Sequence, residues 1–331
     1  MSPPPAGLIA DIGATNARFA LAERGAVTRM RAFASDDFAS LSEAIEAYLA
    51  AEAPPVQPRL AVLAVAAPVM GDWVTLTNHP WTFSVEDTRN HFDFTQLRVI
   101  NDFAANALAV PHLTEADCMP VGGGAPVKAA PIGVIGPGSG LGVSVLVPDG
   151  NGGFISVQGE GGHVTMAAAD ERETAVLELM RRRFDHVSAE RFLSGPGLVN
   201  LYNALCELSG EHAAPLTAAQ ITNPGIEDEY PRAREATAMF CAMLGTIAGN
   251  LALTIGARGG IYIAGGIVPK LGGAFAQSRF RPRFEAKGRL HDYLAAIPTN
   301  VITQPEPALL GAAKLIEQLD GGAKSPNSRH K

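Results

Sequence analysis

The sequence predicts an α/β protein of two domains with a cleft between them, on three observations. The chain has 331 residues, a length that suggests roughly two domains. Residues 60–66 form a continuous apolar run of strand length, as expected for a strand buried on both faces. Finally, Ile9-Ala10-Asp11-Ile12-Gly13-Ala14-Thr15 and Val134-Ile135-Gly136-Pro137-Gly138-Ser139-Gly140 follow one order: strand, glycine turn with a hydroxyl residue, strand. That likeness suggests two related βββ-type units.

The elements follow in order. Residues 8–13 and 17–23 read as strands joined by the turn Gly13-Ala14-Thr15-Asn16; Arg24-Gly25 ends the second, and residues 27–33 supply a third. A helix comes next, with Ser40 and Glu43 spaced as a capping box and Leu41, Ile45, Tyr48 and Leu49 on one face. Pro54-Pro55 breaks the chain before the run 60–66. Residues 97–100 form a short strand ending at Asn101-Asp102, and 103–110 read as a helix. In the second half, 132–135 and 143–147 are strands around the turn at 136–140, and 261–264 is a strand running into Gly265-Gly266. The ends, Met1 to Pro5 and Gly321 onward, are Pro/Gly-rich or polar and are expected to be loosely held.

Hydrophobic residues make up 47% and charged residues 18%, the profile of a globular rather than a disordered chain. A net charge of −7 disfavours a non-specific nucleic-acid binder, although a few local donors can hold phosphate on an acidic protein. The three cysteines, Cys118, Cys206 and Cys241, are far apart and in no CxxC pair, so reduced thiols in a cytosolic protein are expected, not a disulfide framework or a zinc site. The N-terminus has no basic and apolar regions of a signal peptide. Residues 236–257 are uncharged and long enough to span a bilayer, yet they hold three glycines, three threonines and Asn250. They read as a buried central helix packed closely by glycine and alanine.

Five motifs carry chemistry. In Asp11-Ile12-Gly13-Ala14-Thr15-Asn16 a tight turn offers backbone N–H groups as a nest for phosphate oxygens; Gly13 removes a Cβ that would hold phosphate away, and Asp11 suits a Mg²⁺ ion bridging the phosphates, directly or through water. A plain hairpin turn uses the same residue types. Asn101-Asp102 lies at the carboxyl end of a strand, where α/β sites collect. Asp102 reads as the N-cap of the next helix and also as a base that orients a hydroxyl and takes its proton as the bond to phosphorus forms. Gly159-Glu160-Gly161-Gly162-His163 lets backbone approach a ligand while Glu160 and His163 meet vicinal hydroxyls. Ser188-Ala189-Glu190-Arg191 reads as the start of a helix, with Glu190 in its first turn. Ala264-Gly265-Gly266 permits close approach by a flat ring. No GxxxxGK[ST], fitting GxGxxG or GxSxG pattern occurs, which excludes a Walker loop, a Rossmann dinucleotide site and an α/β-hydrolase nucleophile.

Taken in order, these motifs resemble the bacterial glucokinase family, the non-ROK group within the actin/hexokinase/chaperone ATPase superfold. The likeness also takes in Pro68-Val69-Met70-Gly71-Asp72-Trp73, Thr77-Asn78-His79-Pro80-Trp81 and Leu193-Ser194-Gly195-Pro196-Gly197-Leu198, and runs from about residue 9 to 311. The resemblance implies two ribonuclease H-like domains flanking a deep interdomain cleft, with a small domain over 1–112 plus about 303–331 and a large one over 113–302. It implies phosphorylation of glucose at the 6-hydroxyl by ATP with Mg²⁺, in a cytoplasmic homodimer with no nucleic-acid or membrane partner. Asp102 matches the family's catalytic base; Asn101, Asp102, Glu160, His163 and Glu190 match its sugar ligands. Ala10, Asp11, Ile12, Gly13, Ala14, Thr15 and Asn16, then Gly138, Ser139 and Gly140, then Gly265 and Gly266, match its nucleotide loops. The family usually has a second glycine at Ala14, where a methyl group penalises a positive φ. The clustered zinc cysteines of the ROK group are absent, and the short Pro-rich stretch before the first motif leaves no room for a DNA-binding domain. Kinases of mannose or fructose, and a non-catalytic sugar sensor, are the rival readings.

Overall fold

A computed structural model describes residues 7–226 and 228–323. The chain divides into two compact units, residues 7–113 with 304–323, and Thr114–Thr303. Expectations for Met1 to Pro5 and for residues beyond Ala323 fall outside the described residues; Gly321 to Ala323 continue the last helix.

The first unit is built on β1 (Gly7–Ile12), β2 (Asn16–Glu23), β3 (Ala26–Ala34), β4 (Leu60–Val65), the short hairpin β5 (Trp73–Thr75) and β6 (Thr82–Ser84), and β7 (Gln96–Asn101). Its main sheet has the order β3-β2-β1-β4-β7. The β1–β2–β3 meander is antiparallel, and β1, β4 and β7 run parallel. Alternation along β1 explains how it is buried on both faces. Leu8, Ala10 and Ile12 pack with Phe19, Ile45 and Tyr48 under the helix Leu41–Glu52, whereas Ile9 packs with Val62, Leu309, Ala312 and Ile316 under the helix Pro307–Ala323. That last helix also crosses the helix Asp102–Ala109 so closely that a Cβ on Gly311 would lie 1.8 Å from the Ala105 carbonyl oxygen.

The second unit adds β8 (Cys118–Pro120), β9 (Ile132–Pro137), β10 (Leu141–Pro148), β11 (Phe154–Gly159), β12 (Gly260–Ile263) and β13 (Thr299–Ile302), in the order β11-β10-β9-β12-β13-β8. Here too an antiparallel meander, β9–β10–β11, is followed by strands parallel to its first member, β12 and β13. The meander-plus-parallel pattern of the first sheet is therefore repeated. The uncharged segment falls almost wholly in the helix Pro231–Ile255, which is closed by Gly256 at φ 64 and is a core helix. A Cβ on Gly245 would meet the Phe280 carbonyl oxygen at 2.2 Å and one on Gly249 the Phe284 carbonyl oxygen at 2.7 Å, so the glycines admit the neighbouring chain.

Three local expectations are corrected. The N-cap of helix Asp102–Ala109 is Asn101, whose side chain accepts from the N–H groups of Phe103 and Ala104; Asp102 is the first helical residue. Glu190 lies not in a long helix but in the 3-10 turn Ala189–Arg191, and the helix proper runs Gly195–Leu208 with Ser194 as its cap. Ser40 accepts from the Glu43 N–H, but the Glu43 carboxylate reaches back to the Ala39 N–H rather than to Ser40.

Candidate active site

In the first unit, the carboxyl ends of the parallel strands β1, β4 and β7 lie side by side, with Ile12 opposite Val65 and Val65 opposite Asn101. The chemistry-bearing segments leave the sheet at this edge. After β1, the Gly13 N–H donates to the Asn16 carbonyl at 2.9 Å and closes the turn. Among the described residues, the N–H groups of Ala14 and Thr15 have no acceptor within the chain, so these two amides are what the turn offers to a ligand. Ala14 is not among the residues with positive φ, so the steric penalty expected there does not arise. A Cβ on Gly13 would meet only the Asn16 carbonyl oxygen, at 3.4 Å; nothing within the protein demands glycine.

Asp11, whose side chain is 21% exposed, faces Arg18 across the strands at 3.8 Å, and that guanidinium is drawn to Glu306 at 2.9 Å. Burial pushes the Asp11 carboxyl up to about 6, against the pull of Arg18 and with a further push from Glu306. Its charge is thus under-compensated by the protein, which suits a divalent cation. Mg²⁺ is commonly held through one or two carboxylates plus phosphate oxygens, so the donor set fits the ion.

After β4, the Ala66 N–H donates to the Ile12 carbonyl at 3.0 Å, and the Ala67 carbonyl accepts from Asn101 Nδ2 at 3.4 Å. The Asn101 oxygen is committed to capping and one amide hydrogen to Ala67, so the second amide hydrogen is what remains for a ligand. Asp102 Oδ1 accepts from the Phe103 N–H at 2.9 Å, which ties the carboxylate to the helix N-terminus, where negative charge is favoured.

In the second unit, β9 leads into the Gly138–Gly140 turn and its parallel neighbour β12 into Gly265-Gly266. Gly265 has a φ of 83, and a Cβ there would lie 2.4 Å from the Pro137 carbonyl oxygen, so only glycine serves. Cβ atoms on Gly138 and Gly266 would meet nothing within 4 Å. The Glu190 carboxylate accepts from the Leu141 N–H at 2.8 Å, fastening it to the glycine turn. Gly162 sits against the Leu141 carbonyl, and His186 bonds the His163 carbonyl oxygen at 2.9 Å. Glu160 is exposed just before the 3-10 turn Gly161–His163. Beside these residues lies a polar pocket of about 390 Å³ lined by His163, Arg183, His186, Ser188, Glu190 and Arg191, a volume that admits a small ligand.

The family model for glucokinase matches residues 8–319. The chain belongs to the glucokinase family. A glucokinase from Nitrobacter hamburgensis is 51% identical over 308 residues, 93% of this chain and 96% of that one. A glucokinase from Paramagnetospirillum magneticum is 51% identical over 310 residues, 93% and 97% of the two chains. Among solved structures, a glucokinase from an Antarctic psychrotroph superposes with a TM-score of 0.86 at 38% identity, covering 95% of this chain and 99% of that one.

Within this glucokinase-family chain, sequence reasoning missed the parts of Arg18, Glu306 and His186, and of Ser35, which donates to the Gly13 and Thr15 carbonyls. Ser35 and Glu306 act from a distance along the chain. Arg18 and His186 had nearby signals, two residues after Asn16 and two residues before Ser188.

Proposed function

We propose that the chain transfers the γ-phosphoryl group of ATP to the 6-hydroxyl of glucose, giving glucose 6-phosphate and ADP. The observation that carries the mechanism is the shared edge of the first sheet, where the Asp102 carboxylate and the free amides of the Gly13–Thr15 turn stand at the ends of parallel strands. Asp102 accepts a hydrogen bond from the sugar hydroxyl and aims its oxygen at the γ-phosphorus. As the oxygen–phosphorus bond forms and the bond to the β,γ-bridging oxygen breaks, the hydroxyl proton passes to the carboxylate and ADP leaves.

The sugar ligands are Asn101, Asp102, Glu160, His163 and Glu190. Ala10 to Asn16, Gly138 to Gly140, and Gly265-Gly266 hold the nucleotide. Gly13, Gly138 and Gly266, which no neighbouring atom obliges to be glycine, support this assignment, because close approach by a ligand gives them a reason. Asp11 holds Mg²⁺ through water; the ion neutralises phosphate charge. The repeated strand order supports the ribonuclease H-like assignment, with a small domain of about 1–112 plus 303–331 and a large one of 113–302, and the lack of clustered cysteines supports the non-ROK one. A cytoplasmic homodimer completes the reading.

The test is ATP consumption over a panel of hexoses, with and without Mg²⁺. Glucose should give the highest kcat/KM, with no turnover without the metal; mannose or fructose in first place would reassign the substrate. In the same assay, Glu160→Gln should raise the glucose KM about tenfold, by removing a charged acceptor, with a much smaller change in the ATP KM. Equal effects on the two would take Glu160 off the sugar.

A further inference from the structure

We infer that Ser35 is a positioning residue that holds the Gly13–Thr15 turn in its nucleotide-receiving shape, through a brace anchored at Trp81. The inference rests on the phosphate-turn reading given above and adds the residues that set the turn's geometry.

Ser35 is fully buried. Its N–H donates to the Thr15 carbonyl at 3.0 Å, and its Oγ donates to the Gly13 carbonyl at 3.1 Å. One residue thus takes the carbonyls on either side of Ala14. A trans peptide unit is planar and sends its C=O and N–H in opposite directions. Pinning the Gly13 carbonyl to Ser35 therefore aims the Ala14 N–H away from Ser35. That amide is one of the two left open for a phosphate oxygen.

Ser35 is itself held. The Phe38 N–H donates to the Ser35 carbonyl at 3.3 Å, and Trp81 Nε1 donates to the Phe38 carbonyl at 3.1 Å. Trp81 is 3% exposed. The His79 side chain, 5% exposed, packs edge-on against the indole at 4.8 Å and meets Asp36 at 3.3 Å. The motif Thr77-Asn78-His79-Pro80-Trp81 thus acts on the turn from the far side of the Ser35 loop.

A residue that only stabilised the fold would shift the melting temperature and leave ligand preferences alone. A positioning residue weakens the triphosphate specifically. The experiment compares Ser35→Ala, Trp81→Phe and, as a probe of the turn itself, Gly13→Val. It measures KM for ATP and glucose, and calorimetric Kd for the non-hydrolysable triphosphate AMPPNP and for glucose. Ser35→Ala leaves a buried carbonyl unpaired and frees the turn, so the ATP KM and AMPPNP Kd should rise about tenfold while glucose values hold. Trp81→Phe, which keeps a ring but loses the indole N–H, should move AMPPNP in the same direction by less. It carries the test alone if Ser35→Ala does not fold.

If Gly13→Val weakens AMPPNP while Ser35→Ala and Trp81→Phe bind it like the wild type, the brace is refuted and the phosphate turn stands. A parallel loss of glucose and AMPPNP binding in Ser35→Ala also refutes it. If Gly13→Val itself leaves AMPPNP unchanged, the phosphate-turn reading fails and this inference goes with it.

Discussion

Replacing Asp102 with asparagine is expected to lower kcat for glucose phosphorylation by about 10³-fold and to leave the melting temperature unchanged. The two expectations come from different atoms. Asparagine keeps an oxygen where Oδ1 accepts the Phe103 N–H at 2.9 Å, and Asn101 keeps capping the helix, so the local fold has no reason to change. What is lost is the proton acceptor. An amide can still bond to the sugar hydroxyl, so the glucose KM should move far less than kcat, which is the signature of an interaction made in the transition state. Steady-state kinetics and a thermal melt of the same preparation test both halves. Turnover near the wild-type value would remove Asp102 as the base.

The largest effect on stability is expected from Glu173→Ala. Glu173 is 1% exposed and Arg283 8%, and they meet through paired bonds of 2.8 and 3.0 Å. Arg283 also reaches Thr246 Oγ1 at 3.0 Å and Asp170 at 3.6 Å, while Glu173 accepts from the Ala169 N–H at 2.8 Å. Removing only the carboxylate leaves a buried guanidinium with weak partners, a change that costs about 3–5 kcal/mol. Removing both charges, as Glu173→Leu with Arg283→Met, takes away the desolvation penalty along with the attraction and should cost much less. Urea unfolding of the single and double variants measures the difference. A single-variant loss below about 1 kcal/mol would mean that solvent reaches the guanidinium and the pair behaves as a surface bridge.

What the sequence reveals depends on how local the physics is. Strand β4 was legible because a strand covered on both faces is apolar throughout, and the run at 60–66 can satisfy little else. The uncharged helix was legible because small residues at close spacing announce tight packing, which Gly245 and Gly249 bear out. The cap at 101 was misread because asparagine and aspartate are near-equal caps and stand next to each other; only backbone geometry separates them. Strand β11 was missed; it is short, ends in Gln158-Gly159 and leaves Ile155 and Val157 59% and 49% exposed. In the candidate site, motif composition marked the glycine turns and the acidic residues. It did not reveal that the Glu190 carboxylate fastens the Leu141 N–H or that Ser35 pins a turn twenty residues earlier, since such bonds join segments only after the sheets form.

The crossing of helix Pro307–Ala323 over helix Asp102–Ala109 has a consequence for how the enzyme is made. Gly311 lets the two backbones touch, and the same helix covers one face of β1 and β4. The element that starts with Asp102 is thus seated by a helix made much later along the chain. A nascent chain with its first 113 residues outside the ribosome has the sheet but not its lid, and exposes Ile9, Ala20 and Val62 to water. Unlike a domain that folds as it emerges, this one waits until the helix Pro307–Ala323 has emerged, so the sheet gains its second cover only when that helix closes onto the strands made at the start.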